Sequence, residues 1–147
     1  MSTARTMATK PNFSGVYALD RASSVLSANA AAIMSAVLRI EHDDPRFQCS
    51  ARFASADDAV EFAFDRSTDG RETVVSITES SRCHWDDNAL VTEDRMGPGE
   101  TAVVMTWRYE LSEDGRRLRA SERIVGAGRD QDNVWEFERQ WRDDILQ

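Results

Sequence analysis

Residues 101–111 read Thr-Ala-Val-Val-Met-Thr-Trp-Arg-Tyr-Glu-Leu, and their pattern decides the fold. From Val103 onward the odd-numbered side chains are apolar or aromatic, whereas the even-numbered ones include Arg108 and Glu110. Successive side chains of a strand point to opposite faces, so this period of two predicts a strand that is buried on one face. We expect the odd positions, Trp107 among them, to face the interior of the protein.

Similar short alternating runs fill the chain on both sides of this stretch, with turn residues such as Asp, Asn, Gly and Pro between them. They predict ten strands, at about Phe13–Leu19, Val37–His42, Arg46–Phe53, Val60–Asp65, Thr73–Thr78, Ser81–Trp85, Ala89–Arg95, Thr101–Leu111, Arg117–Val125 and Asn133–Arg139. No long crossover separates the last nine, so we predict antiparallel neighbours. Closing such an up-and-down sheet into a barrel would cover its edges.

One segment after the first strand has a different period. The stretch from Val25 to Ala36 contains five alanines, and alanine is the best helix former. Leu26, Ala30 and Ile33 recur at spacings of three and four, which gives one apolar stripe. The sequence therefore predicts an all-β fold with one helical insert, and the helix is expected to cap one end of the barrel.

Composition narrows the classes of partner. The 147 residues include 18 Lys plus Arg and 26 Asp plus Glu, which gives a net charge of −8. Nucleic-acid binding needs clustered positive charge, so we expect no nucleic-acid partner. The longest apolar stretch, residues 28–38, is too short for a membrane span, so we expect no stable membrane insertion.

The ends of the chain and the two cysteines give further expectations. We divide the chain into a disordered leader (residues 1–11), a barrel (residues 12–141) and a tail (residues 142–147). The leader has no apolar run typical of a secretory signal. Cys49 and Cys83 are too few for a disulfide framework, so we expect two reduced thiols and a cytoplasmic location. The oligomeric state is left open.

The inward positions supply the candidate site residues. Alternation places aromatic and apolar side chains of several strands, together with one methionine of the predicted helix, around the interior. The candidate ligand-binding residues are Met34, Phe53, Phe62, Phe64, Met105, Trp107, Tyr109, Glu122, Trp135 and Phe137. They either line a pocket, which a ten-stranded barrel is wide enough to contain, or fill the barrel as ordinary core.

Glu122 is the exceptional member of this set. It lies in period with Leu118, Ala120 and Ile124, so it is expected to face inward. An inward carboxylate is costly unless it is paired or hydrated. Three interpretations remain open: a polar ligand contact or general base, an internal pair with an arginine such as Arg139, or a solvent-facing position.

Several short motifs occur in an order that resembles a known family. Residues 12–17 (Asn-Phe-Ser-Gly-Val-Tyr) look like a Phe-x-Gly-x-Trp opening strand with Tyr17 in place of Trp. The remaining similar segments are Phe64-Asp65 with Gly70-Arg71, the turn Glu113-Asp114-Gly115 with Leu118, and Phe137-Glu138-Arg139. Over residues 12–140 this order resembles the fatty-acid-binding proteins and the lipocalin-like domains near them in the calycin group.

The resemblance implies a calycin barrel with a cavity for a small hydrophobic ligand. It also exposes a difference, because many members of that family hold a fatty-acid carboxylate with Arg-x-Tyr on the last strand. The matching positions here are Trp135 and Phe137. The resemblance therefore favours a lipid-like ligand but does not support a free fatty acid bound in that way.

Three functions follow as hypotheses. The leading one is a non-catalytic carrier of a small hydrophobic molecule. The second is a calycin-fold enzyme, a cyclase or isomerase, that uses Glu122 or Tyr109 for proton transfer. The third is a structural or partner-binding domain with a filled barrel. No metal or cofactor is expected, since His42 and His84 are not spaced as a ligand pair.

Overall fold

The computed structural model describes residues 10–140 and contains ten β-strands. They are β1 (Gly15–Leu19), β2 (Ser35–Asp43), β3 (Arg46–Ala54), β4 (Ala59–Ser67), β5 (Thr73–Ser76), β6 (Glu79–Asp86), β7 (Ala89–Met96), β8 (Val103–Leu111), β9 (Arg117–Val125) and β10 (Gln131–Gln140). The predicted number and positions of the strands are confirmed. Most of the predicted leader, all of the tail and residue 141 lie outside the described residues.

All ten strands form one antiparallel sheet in the order β4-β3-β2-β1-β10-β9-β8-β7-β6-β5. The first and last strands of the chain pair with each other, so the sheet curls on itself, with β4 and β5 as its two edges. The antiparallel up-and-down arrangement is therefore confirmed.

Closure of the barrel is incomplete between β4 and β5. No ladder joins these strands, and the residues that follow β4 contact β6 instead. Asp69 forms an isolated bridge with His84, and the Gly70 N–H donates to the Cys83 carbonyl at 2.9 Å. The predicted barrel is therefore a curled half-barrel with no ladder at this point, because β5 has four residues and pairs with β6 alone.

The predicted helix over Val25–Ala36 is also wrong. Helical structure in this region consists of one 3-10 turn, Arg21–Ser23. Val25 instead forms a bridge with Val134, with both main-chain hydrogen bonds at 2.8 Å. The segment then crosses from the start of β10 to the end of β3, where the Met34 N–H donates to the Ala54 carbonyl.

Tertiary hydrogen bonds outweigh helix propensity in this segment. The Ser27 N–H donates to the Asn133 side-chain oxygen at 2.6 Å, and the Arg21 guanidinium donates to the carbonyls of Ala31 and Ile33. Of these groups a helix over residues 25–36 would pair only the Ala31 carbonyl internally, since the Ser27 N–H and the Ile33 carbonyl would lie in its unpaired terminal turns. Its apolar side chains still face the core, since Leu26, Ala30 and Ile33 pack against it; the helical cap itself is not formed.

The core lies on the inner face of the curled sheet, as alternation predicted. Its most fully buried aromatic side chains are Phe13, Tyr17, Phe47 and Phe137. Phe47 lies 6.3 Å from Phe13 and 5.7 Å from Tyr109, ring centroid to ring centroid. The Tyr17 hydroxyl donates to the Phe13 carbonyl at 2.7 Å, which ties the segment before β1 to this core.

Two further features close the same end of the sheet. His42 is buried at the end of β2, where its Nδ1 accepts from the Phe13 N–H at 3.1 Å. Trp85 stacks on Phe13 and carries Lys10 over its indole ring at 5.5 Å. Lys10 falls in the predicted leader, and its ammonium also donates to the Asp87 carbonyl at 2.6 Å.

Candidate functional site

The inner face has two ends that differ in burial, and we call them the closed end and the open end. The closed end contains the fully buried core around Phe13, Phe47 and Phe137. The open end lies near the β3–β4 turn and the start of β10. Here inward side chains keep contact with solvent: Phe62 is 42% exposed and Val60 is 58% exposed, although both belong to the inner face.

The structure divides the ten predicted site residues between these places. Phe137 belongs to the closed end and is fully buried in the core. Met34 lies outside the strands in the crossing segment and is 62% exposed, because the helix that was expected to turn it inward is absent. The other eight lie on the inner faces of β3, β4, β8, β9 and β10: Phe53, Phe62, Phe64, Met105, Trp107, Tyr109, Glu122 and Trp135.

Aromatic rings dominate the open end. Phe53 stacks on Phe62 with centroids 5.7 Å apart and meets Trp135 edge-on at 5.0 Å. On the other wall Trp107 stacks on Tyr109 at 6.1 Å. Offset stacks and edge contacts of this kind are favourable for aromatic pairs. Phe53, Tyr109 and Trp135 are buried in these contacts, so the apolar surface that remains open to solvent is that of Phe62 and, in part, Trp107.

Glu122 is the polar centre of this surface. It pairs in register with Trp107 on β8 and with Asn133 on β10. Its Oε1 accepts from the Trp135 indole N–H at 3.1 Å and from the Asn133 amide at 3.0 Å. Burial raises the pKa of the Glu122 carboxyl, and these two hydrogen bonds oppose that rise.

Two of the interpretations of Glu122, an internal pair with an arginine such as Arg139 and a solvent-facing position, do not fit the structure. The register separates Arg139 from Asn133 by six residues of β10, or about 20 Å, so Arg139 does not reach Glu122. Arg139 instead donates to the carbonyls of Gly115 and Ser14 near the closed end. Glu122 is also partly buried and faces inward, so it is not a solvent-facing residue.

Sequence reasoning missed several inward polar residues, among them Asn133, Arg66 and Asp94. Asn133 is buried beside Glu122, and its alternation with Trp135 is the signal that places it inward. Arg66 on β4 and Asp94 on β7 form an ion pair at 3.1 Å across the β4–β5 gap. Arg66 also lies over the Phe64 ring at 4.9 Å. The signal that could have placed Arg66 on the inner face is its alternation with Phe62 and Phe64 along β4.

The outer face offers a different kind of hollow. A groove of about 590 Å³ runs over β2, β3 and β4 and is lined largely by outward side chains such as Arg39, Arg52 and Glu61. Arg52 and Glu61 pair at 3.5 Å, and both are largely exposed. Its charged side chains are solvated, whereas the inner face carries the aromatic rings, so the open end of the inner face is the better candidate site.

A metal-binding cluster and a membrane-spanning helix are both absent from the part of the chain that the structure describes. Within residues 10–140 no cluster of three or more His, Cys, Asp or Glu side chains could hold a metal ion. No helix in the same range is long and apolar enough to span a membrane. Cys49 and Cys83 are both buried free thiols, as predicted, and burial raises the pKa of each to about 12.

Comparison with known proteins places this geometry among solved folds. The secretory abundant heat soluble protein 4 of Ramazzottius varieornatus superposes with a TM-score of 0.57 at 12% identity, over 91% of this chain and 99% of that one. The fluorescent protein UnaG superposes with a TM-score of 0.57 at 12% identity, over 87% of this chain and 97% of that one. Fatty-acid-binding protein 1 of Echinococcus granulosus superposes with a TM-score of 0.52 at 11% identity, over 88% of this chain and 98% of that one.

The fold is that of the fatty-acid-binding proteins. The resemblance found in the sequence is thus confirmed at the level of fold, and identities of 11–12% show nothing finer. No protein-family model and no curated protein sequence matches the chain. The comparisons therefore show a fatty-acid-binding-protein-like fold, and the inner face is the part of this fold that bears on function.

Proposed function

We propose that this protein is a non-catalytic carrier of a small hydrophobic molecule bound at the open end. One observation carries the proposal: inward aromatic and apolar side chains are left in contact with solvent at one end of an otherwise well-packed inner face. Covering them would remove apolar surface from water, which is favourable in proportion to the area covered. The same proposal includes the cytoplasmic location, which the two free thiols support.

The fold supports this proposal in outline. One of the similar structures is described as a fatty-acid-binding protein. In this chain the positions that match the family's Arg-x-Tyr are Trp135 and Phe137, and the Trp135 indole N–H donates to the Glu122 carboxylate. The proposed ligand is therefore a lipid-like molecule whose apolar part contacts Phe53, Phe62 and Trp107.

The test is a fluorescence titration with Nile red, an uncharged apolar dye. We expect saturable binding to the wild-type protein with a defined stoichiometry. Phe62→Ser should weaken binding about tenfold, or 1.4 kcal/mol, because it removes part of the apolar surface at the site. Val125→Ser is the matched control, since Val125 is also 42% exposed but lies on the outer face of β9, and it should leave binding unchanged.

Two results would contradict the proposal. A folded protein that takes up no dye would favour the filled-barrel hypothesis, in which the domain has a structural or partner-binding role. Equal losses in Phe62→Ser and Val125→Ser would show that the dye binds to exposed apolar surface in general. Far-ultraviolet circular dichroism of each variant checks that the sheet is intact.

A second candidate function uses the same site for catalysis. Its support is Glu122, a partly buried carboxyl whose pKa is raised by burial, as an acid–base group requires. In this alternative the protein is a cyclase or isomerase of a hydrophobic substrate. Glu122→Gln would then abolish turnover while keeping Nile red binding, whereas a carrier shows no turnover in either form.

A further inference from the structure

We propose that the ligand of this carrier bears a cationic amine, and that Glu122 binds the amine while the apolar part lies along the open end. The inference rests on the proposed carrier function and narrows it to a chemical class. It concerns amphipathic amines, as opposed to carboxylic acids or uncharged lipids.

The hydrogen bonding of Glu122 leaves an acceptor position open. Both donors, Trp135 Nε1 and Asn133 Nδ2, bind the same carboxylate oxygen, Oε1. Within residues 10–140 no Lys, Arg or His forms an ion pair with Glu122. No donor to its second oxygen, Oε2, is found among the described residues, so this oxygen can accept from a ligand, and hydrogen bonds to an ionised carboxylate are about twice as strong as neutral ones.

Burial gives that position a preference for a cation. A carboxylate that is partly removed from water and lacks a cationic partner carries a desolvation cost, which appears here as a raised pKa. An ammonium group at hydrogen-bond distance would offset this cost. A fatty-acid carboxylate in the same place would add like-charge repulsion to it. The site therefore discriminates between the two head groups by the sign of their charge.

Aromatic rings frame the carboxylate on both sides. Trp107 is its direct cross-strand neighbour on β8, where side chains lie about 5 Å apart, and Trp135 donates to it from β10. Indole faces attract ammonium groups, and a carboxylate together with aromatic faces is a favourable environment for an amine. Phe53 and Phe62 continue the apolar surface away from this point.

Other charges on the inner face do not cancel this preference. Arg66 and Asp94 neutralise each other in their 3.1 Å ion pair, and Arg139 binds carbonyls near the closed end. The chain as a whole has a net charge of −8, which attracts any cation at long range. A test of Glu122 therefore needs a control that removes one negative charge elsewhere.

The experiment is displacement of bound Nile red by decylamine, decanol and decanoate at pH 7, each below its micellar concentration. These three compounds share one alkyl chain and differ in head group. The proteins are the wild type, Glu122→Gln and the control Glu41→Gln. Glu41 lies exposed on the outer face of β2, so its substitution makes the same change in net charge away from the site.

We expect decylamine to displace the dye from the wild type at a concentration at least about tenfold lower than decanoate. Glu122→Gln should remove this preference and leave the affinity for decanol and Nile red nearly unchanged. Glu41→Gln should behave as the wild type does. Trp107→Leu gives a second variant that keeps the apolar contact, and it should weaken decylamine about threefold without weakening decanol.

The outcomes separate this inference from the carrier function. If Nile red binds but decanoate competes as well as decylamine, the amine proposal is wrong and the carrier stands. If Glu41→Gln reduces the preference as much as Glu122→Gln does, the preference comes from the overall charge and the proposal is again wrong. If the folded protein does not bind Nile red at all, the carrier function fails, and the amine proposal fails with it.

Discussion

Truncating a phenylalanine should have very different costs at the two ends of the inner face. Phe47 is fully buried among Phe13, His42 and Tyr109, whereas Phe62 is 42% exposed on an edge strand. A buried phenylalanine removes about 150 Å² from water, worth about 4 kcal/mol at 25 cal/mol per Å². Scaling by the buried fraction gives about 2 kcal/mol for Phe62. We therefore predict that Phe47→Ala costs about twice as much as Phe62→Ala.

Urea unfolding followed by tryptophan fluorescence measures this difference. With a denaturant slope of about 2 kcal/mol per M, the midpoint should fall by about 2 M for Phe47→Ala and by about 1 M for Phe62→Ala. Val125→Ala, at an equally exposed outer position, should change it by less than about 0.5 M. Equal losses for the two phenylalanines would refute the distinction between a closed and an open end.

Three further predictions concern other parts of the chain. Gly126→Ala should lower the free energy of unfolding by about 3 kcal/mol, because φ at Gly126 is +117° and a Cβ there would clash with the Ala102 carbonyl oxygen. Gly128→Ala, where a Cβ would meet open space, should lower it by about 1 kcal/mol in the same assay. Glu122→Gln should gain stability relative to the wild type as the pH rises above about 4.5. The raised pKa of Glu122 stabilises the folded wild type fully at low pH, and this contribution is lost as the carboxyl ionises. A difference in unfolding free energy between the two proteins that stays constant from pH 4 to pH 8 would contradict this. Cys49 and Cys83 should react with a disulfide reagent at least about 30-fold more slowly in the folded than in the urea-unfolded protein. The rise in pKa from 9.0 to about 12 lowers the thiolate fraction about 1,000-fold, and the higher nucleophilicity of the thiolate recovers about 30-fold of this loss; rapid native labelling would contradict the prediction.

The strands could be predicted from sequence because two independent signals agree for each of them. In β8 the alternation of Trp107 and Tyr109 with charged residues fixes the buried face, and turn residues mark both ends. The segment after β1 has no such agreement. Its alanines favour a helix, but the hydrogen bonds from Val25 to Val134 and from Ser27 to Asn133 join residues more than 100 positions apart, which no local pattern contains.

The candidate site could be predicted only in part for a related reason. Alternation states whether a side chain faces inward but not how far along the interior it lies. Phe62 and Phe137 therefore look equivalent in the sequence, although one lies at the open end and the other in the packed core. The register of the strands determines how far along the interior each side chain lies, and it also brings Asn133 beside Glu122.

The missing ladder between β4 and β5 gives the wall of the interior a seam. Parting β4 from β6 and β7 would break the Arg66–Asp94 ion pair and the contacts at Asp69 and Gly70, but no interstrand ladder. Parting β3 from β4 would instead break a register that extends over nine residues of each strand. Widening the interior along this line would therefore break fewer main-chain hydrogen bonds than widening it between β3 and β4.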